Sequence, residues 1–416
     1  MKKSALAVVG LFVVGCVSPQ TKALNWLEQD SVAITSLDSD DFRDLEPLKS
    51  VWKDKRIVML GESSHGAAEF YKVKTRLAKF LVREMGFEVI AFESGVYECQ
   101  AANSKVASAD ATYLTKKCLM WELFPTKEVE PLFEFVKSQR QSGRNVEIAG
   151  FDSEVSGFKG PTTNFEPLSR AEWFKSLIKL IDARYANEVF KLESTYVTSS
   201  GKEEVDQATN IAGYQKLVTF LEKDSARLKA KGSAKEDIET ALQIARISGE
   251  RLKIANSRDI RDVLMGKNIA WLLEKRFPGK KIILWAHNSH VGYQDIPFDK
   301  DLVRPSMVSY LRPKYGKEMY SVGLFMGEGT THMWGKKDQP VMKPLPGSLE
   351  ETFLKVPRAY SFMDFQHLEP SKEPGAVFYR PMKSYWWGGP EVDEFPIASQ
   401  HDGIVFIRKV TPSSYL

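Results

Sequence analysis

Apolar residues fall into short unbroken runs alternating with longer stretches of helical spacing. Arg56–Leu60, Glu88–Phe92, Asn145–Ala149 and Lys281–Trp285 are Val- and Ile-rich and bounded by charge or glycine. Runs of that kind predict strands buried on both faces, as in a parallel sheet. Between the first two lies Glu69–Met85, with apolar residues at Phe70, Val73, Leu77, Phe80 and Leu81. That spacing is helical, and Gly86 directly after it suits a left-handed C-terminal cap. Residues 56–93 thus read as a strand–helix–strand unit with a parallel crossover. Lys127–Ser142 reads as another helix, stopped by Gly143.

The pattern changes over residues 165–275. Ala171–Leu192, Glu203–Lys231 and Lys235–Phe277 are long, charged and helical in period, with few strand signals. They predict a helical insertion packed on the sheet domain. Beyond Trp285, Met319–Met326 and Gly403–Arg408 read as further strands, and the Pro- and Gly-rich 335–348 and 370–391 as loops. The expected fold class is α/β: a central, largely parallel sheet flanked by helices, with a helical insertion.

The N-terminus follows another logic. Residues 1–16 read MKKSALAVVGLFVVGC, with Lys2 and Lys3 ahead of the apolar run Ala5–Val14. This has the form of a secretory signal. It is shorter than the roughly 20 residues a spanning helix needs. Its end, Val13-Val14-Gly15-Cys16, resembles a bacterial lipobox, which predicts cleavage before Cys16 and acylation of its thiol. Val17 is not the aspartate that retains lipoproteins in the inner membrane, so the expected location is the periplasmic side of the outer membrane. The expected organisation is a signal peptide over 1–15, a linker over 16–45 and one α/β domain over 46–416.

Composition narrows the picture modestly. The chain has 416 residues, 43% of them hydrophobic and 27% charged, which is globular and excludes disorder or a coiled-coil rod. The formal charge of +4 includes Lys2 and Lys3 of the leader, and no basic face stands out, so no nucleic-acid partner is expected. Of the 3 cysteines, Cys99 and Cys118 remain after Cys16. In an oxidising compartment they form a disulfide, closing a loop worth about 3 kcal/mol, or they stay as two buried thiols.

The candidate chemistry gathers at the ends of the predicted strands. The first ends in Gly61-Glu62-Ser63-Ser64-His65-Gly66, the second in Glu93-Ser94-Gly95, the third in Gly150-Phe151-Asp152, and the fourth in Ala286-His287-Asn288-Ser289-His290. Carboxyl ends of parallel strands share one edge, where ligands bind. His65 suits a general base, because imidazole titrates near neutrality. Glu62 or Glu93 can orient it. Arg76, at the edge of the helical apolar stripe, can turn toward the rim. His287 and His290 sit three apart after a strand. A Gly-x-Ser-x-Gly elbow, a His-Glu-x-x-His pair, a P-loop and a dinucleotide fingerprint are all missing. From residue types alone, metal-free hydrolysis and metal binding by the His/Glu cluster stand level.

These segments resemble the erythromycin esterase family. The resemblance is carried by Gly61–Gly66 with Glu69 and Arg76, the strand to Glu93, Gly150–Asp152, Arg261-Asp262 with Met265 and Asn268, Trp285–Val291, Pro346–Glu350 and Asp402–Ile407. It implies hydrolysis of a macrolide lactone or other cyclic ester without a cofactor or metal, and a possible role in the response to antibiotic. It implies that His65 activates water, that Glu62, Glu93, Arg76, His287 and His290 are the other cleft residues, and that the partner is a small ester or lactone. Ser63-Ser64 departs from the Ala-Thr of many members, and the leader is atypical. The competing expectation is a metal- or haem-linked periplasmic binding protein using the same rim.

Overall fold

The computed structural model describes residues 19–120, 124–153, 168–199, 206–253, 259–293, 296–299, 302–332, 337–385 and 392–416. The leader with Cys16 lies outside them. A nine-stranded mixed sheet organises the molecule. Its strands are β1 (Val32–Ala33), β2 (Ile57–Leu60), β3 (Val89–Gly95), β4 (Glu147–Asp152), β5 (Ile282–Trp285), β6 (Met319–His332), β7 (Asp338–Pro340), β8 (Tyr360–Asp364) and β9 (Gly403–Val410). The spatial order is β1-β8-β9-β6-β2-β5-β3-β4, with β7 on the free end of β6. From β9 to β4 every pairing is parallel; β1, β7 and β8 pair antiparallel.

Register explains why the predicted strand ends meet. Leu60 is level with Trp285 and Val322, Trp285 with Phe92, and Phe92 with Gly150. The residues that follow them therefore emerge along one edge.

Helix α1 is Pro19–Asp30, α2 is Ala68–Met85, α3 is Val96–Asn103, α4 is Ala111–Cys118 and α5 is Glu130–Gln141. Gly86 caps α2 with φ 71°, as its position predicts. Alternating strand residues feed two faces. Val58, Leu60, Ile90 and Phe92 pack with the α2 stripe of Phe70, Val73 and Leu77. Ile57, Met59, Val89 and Ala91 pack on the opposite side with Met265 and Ile269.

The predicted insertion is helical among its described residues: α6 (Ser169–Lys179), α7 (Ala183–Ser199), α8 (Gln207–Ala230), α9 (Lys235–Lys253) and α10 (Asp259–Trp271). The helix expected to run through Ala171–Leu192 breaks after Lys179. Phe174, Ile178, Val189, Leu217, Leu221 and Ile244 form its own apolar core, which also takes in Val96 and Tyr97 of α3.

Two expectations need correction. Residues 19–45 are not a linker: Ala23 and Leu27 of α1 are fully buried against Phe325 and Phe353, and β1 extends the sheet. A helix with spaced apolar residues and a strand of only two residues give weak signals until the surface they cover is known. The loop expected between Cys99 and Cys118 is a helix pair, α3 and α4. A disulfide joins Cys99 to Cys118 across it. The loops predicted at 335–348 and 370–391 also carry short elements, including β7 and a helix at Gly375–Phe378.

Candidate active site

The turn after β2 carries Glu62 and His65. The His65 imidazole lies 2.9 Å through Nδ1 from Glu62 Oε1, and both side chains are buried. A carboxylate only accepts, so Nδ1 carries the hydrogen, and in the neutral ring Nε2 holds the lone pair that can take a proton. The other Glu62 oxygen accepts a hydrogen bond from the Lys74 ammonium. Lys74 projects from α2, is completely buried, donates to the Ala286 carbonyl at 3.1 Å and stands 4.3 Å from the Trp285 ring centre. Burial pushes Lys74 down to about 8, against the opposing pull of Glu62. His65 packs edge-on to Phe124 at 5.3 Å and lies 4.9 Å from the His287 ring.

The second half of the rim is built around Glu93, at the end of β3. Its Oε1 accepts from Arg261 Nη2 at 2.9 Å and lies 3.1 Å from His290 Nε2; its Oε2 accepts the His287 backbone N–H at 3.0 Å. Burial would raise this carboxyl, but the charges of His290 and Arg261 outweigh it and hold it well below its ordinary range. Arg261, on α10, also grips Asp152 with contacts of 3.2 and 2.6 Å. His290 is fixed on its other side by Asp262, 2.9 Å from Nδ1. Burial pulls His290 down, and the two carboxylates more than reverse it, to about 10. It is a standing imidazolium.

His287 is the opposite case. Burial first, then the unfavourable proximity of the His65 ring and the His290 imidazolium, hold it well below its ordinary value, so it is neutral. Its Nδ1 accepts the Ser289 backbone N–H at 3.1 Å, which places its hydrogen on Nε2.

Five of the six expected site residues thus come together: Glu62, His65, Glu93, His287 and His290. Arg76 does not. Its guanidinium binds Asp44 at 2.6 and 3.0 Å and the carbonyls of Ser39 and Asp41, away from the rim. The cation on Glu62 is Lys74, two residues earlier, because one helical turn separates 70, 74 and 77 on the face that meets the sheet. Arg261, Asp262 and Asp152 complete the rim; the sequence reading noted them without giving them roles. Among the described residues, no three His, Cys, Asp or Glu side chains are arranged to hold a metal ion. They face one another as donor–acceptor pairs instead.

The erythromycin esterase family profile matches residues 82–410. That span includes Glu93, Asp152, Arg261, His287 and His290, while Glu62, His65 and Lys74 lie ahead of it. The putative hydrolase YbfO of Bacillus subtilis (strain 168) is 29% identical over 420 residues, covering 94% of this chain and 91% of its own length. The erythromycin esterase type II of Escherichia coli is 22% identical over 79% of this chain and 85% of its own. A succinoglycan biosynthesis protein of known structure superposes with TM-score 0.75 at 20% identity, covering 95% of this chain and 99% of its own. A mutant of erythromycin esterase EreC in its open conformation superposes with TM-score 0.66 at 18% identity, covering 91% and 97%. These two solved structures share the fold: a mostly parallel sheet flanked by helices. With the family profile spanning most of its length, the chain belongs to the erythromycin esterase family.

Proposed function

We propose that this hydrolase cleaves a macrolide lactone or another cyclic ester with water activated by His65, without a metal. The observation that carries this reading is the buried chain Lys74–Glu62–His65, which leaves Nε2 as the basic nitrogen. Water attacks the ester carbonyl carbon and gives its proton to Nε2. The tetrahedral intermediate then collapses, the acyl C–O bond breaks, and the imidazolium returns the proton to the leaving alkoxide. A carboxylate and a hydroxyl result.

The two remaining histidines take different tasks. His287 is neutral, carries its hydrogen on Nε2 and adjoins His65, so it supplies a hydrogen bond to the developing oxyanion. His290 touches the reaction only through Glu93, whose second oxygen holds the His287 backbone. The leader suggests a lipid anchor at Cys16 on the periplasmic side of the outer membrane, and activity against a macrolide would make the protein part of a response to antibiotic.

The test is hydrolysis of a panel of macrolactones and simple esters by the mature protein, followed by mass spectrometry for the gain of one water. His65→Ala should lose turnover by at least about 10²-fold. Unchanged turnover removes His65 from the mechanism, and turnover lost to a chelator and restored by a metal ion removes the metal-free reading.

A further inference from the structure

The segment after β9, residues 411–416, makes a set of contacts that the mechanism does not use. Thr411 O accepts the Ala68 N–H at 2.8 Å, and Ser413 N–H donates to Gly66 O at 3.0 Å. Ser414 O accepts the Lys127 N–H at 2.8 Å, and Leu416 N–H donates to Pro125 O at 3.0 Å. The first pair grips the backbone directly after His65. The second pair grips the backbone directly after Phe124, the ring that packs against the His65 imidazole. Six residues thus tie together the two pieces of chain that decide where the imidazole points.

Further contacts stiffen the same places. The Glu69 carboxylate accepts both N–H and hydroxyl of Thr411, at 2.7 and 2.8 Å, and the Glu128 carboxylate accepts the Ser414 N–H. His332 stands between the two sides, its N–H on Gly66 O at 3.2 Å and its Nε2 3.0 Å from Ser413 O. A Cβ at Gly66 would strike the His332 carbonyl, so the turn passes this point in direct contact. The Tyr71 hydroxyl adds a bond to the His65 carbonyl itself.

We propose that residues 411–416 are a positioning clamp for His65, acting through backbone hydrogen bonds to Gly66, Ala68, Pro125 and Lys127. The clamp touches no reacting atom. It fixes the imidazole against Glu62 on one side and Phe124 on the other. Ordinary tail packing would scatter its bonds over whatever surface is near. Here the four backbone-to-backbone bonds go to the two segments that border His65. The proposal rests on His65 being the base, and it predicts that loosening the clamp lowers kcat more than it raises KM.

The experiment uses the full chain, the chain ending at Val410, and Ser413→Pro, which deletes the donor to Gly66 alone. Histidine labelled with ¹⁵N gives the His65 ring signals, assigned by their loss in His65→Gln. The clamp predicts that Ser413→Pro moves the His65 Nδ1 signal while the His290 signals stay in place. It also predicts a kcat about 10–100-fold lower with KM within about twofold, the scale of a misplaced catalytic group. The synthetic peptide Thr-Pro-Ser-Ser-Tyr-Leu, added to the chain ending at Val410, should restore both readouts in part. Unmoved His65 signals in Ser413→Pro overturn the clamp even if the truncated chain fails to fold. If the intact chain cleaves no ester, the hydrolase reading fails, while the ring signals still decide the clamp.

Discussion

Replacing Lys74 by Met removes the ammonium bound to the other oxygen of Glu62 and leaves a carboxylate with no exposure to solvent. Uncompensated buried charges cost about 3–5 kcal/mol. The carboxylate has an escape, because it can take up a proton. Protonating a glutamate of ordinary pKa costs about 3.7 kcal/mol at pH 7 and about 1 kcal/mol at pH 5. The destabilisation in Lys74→Met is therefore capped, and the cap falls with acidity. Taking about 2.1 cal/mol/K per residue for the unfolding entropy, the melting temperature should drop by about 4 °C at pH 7 and about 1 °C at pH 5. Adding Glu62→Gln to the same chain removes the stranded charge and should recover most of the loss. Activity should not follow, since a protonated or amide partner no longer orients His65; kcat is expected to fall by about 10²–10⁴ in both variants. Calorimetric melts of wild type, both single variants and the double variant at the two pH values, with turnover on the same preparations, provide the check. Equal losses at pH 5 and pH 7, or a double variant as unstable as the sum of the singles, would refute the reasoning.

Other outcomes follow from the same geometry. His290 is raised in the folded protein, so its stabilising contribution is complete below about pH 6.5 and disappears as pH climbs through about 10. The stability gap between wild type and His290→Gln, measured by denaturant titration, should narrow across that window; a gap that widens contradicts the imidazolium assignment. Arg76→Met breaks a buried pair with Asp44 and should cost about 3 kcal/mol in melts while leaving kcat within about twofold, because Arg76 does not reach the rim. Unreduced protein should show no reactive thiol at Cys99 or Cys118 in a denaturing titration, and reduction should lower stability by about 3 kcal/mol for a loop of this length.

The reading of the strand ends succeeded because parallel strands leave no freedom about which edge their carboxyl ends share. Glu62, His65, Glu93 and the His287/His290 pair needed only correct strand placement. Arg76 failed for a different reason. Arg76 lies beside the apolar stripe of α2, and Lys74, within the same turn, lies inside it. The better signal was the cation inside it: Lys74 sits four residues after Phe70 and three before Leu77, where a lysine is buried and needs an acid. The role of Arg261 was not legible at all. It arrives from α10, beyond the long insertion, and no local period shows where such a helix docks. The same holds for α1, whose buried residues make sense only once the surface of Phe325 and Phe353 is known.

The insertion keeps its own core, apart from the two that flank the sheet, and joins the rim through α3 and α10. That division separates what must stay from what is free to drift. The charges around Glu62 and Glu93 compensate one another over distances near 3 Å, so a single exchange there unbalances the set. The helices of 169–253 need to keep their inward apolar faces and the buried Arg170–Glu193 pair between α6 and α7. Their outer faces, lengths and crossing angles can change without disturbing the Glu62–His65 pair. A laboratory seeking a new ester for this scaffold should therefore diversify the insertion and leave the sheet edge alone.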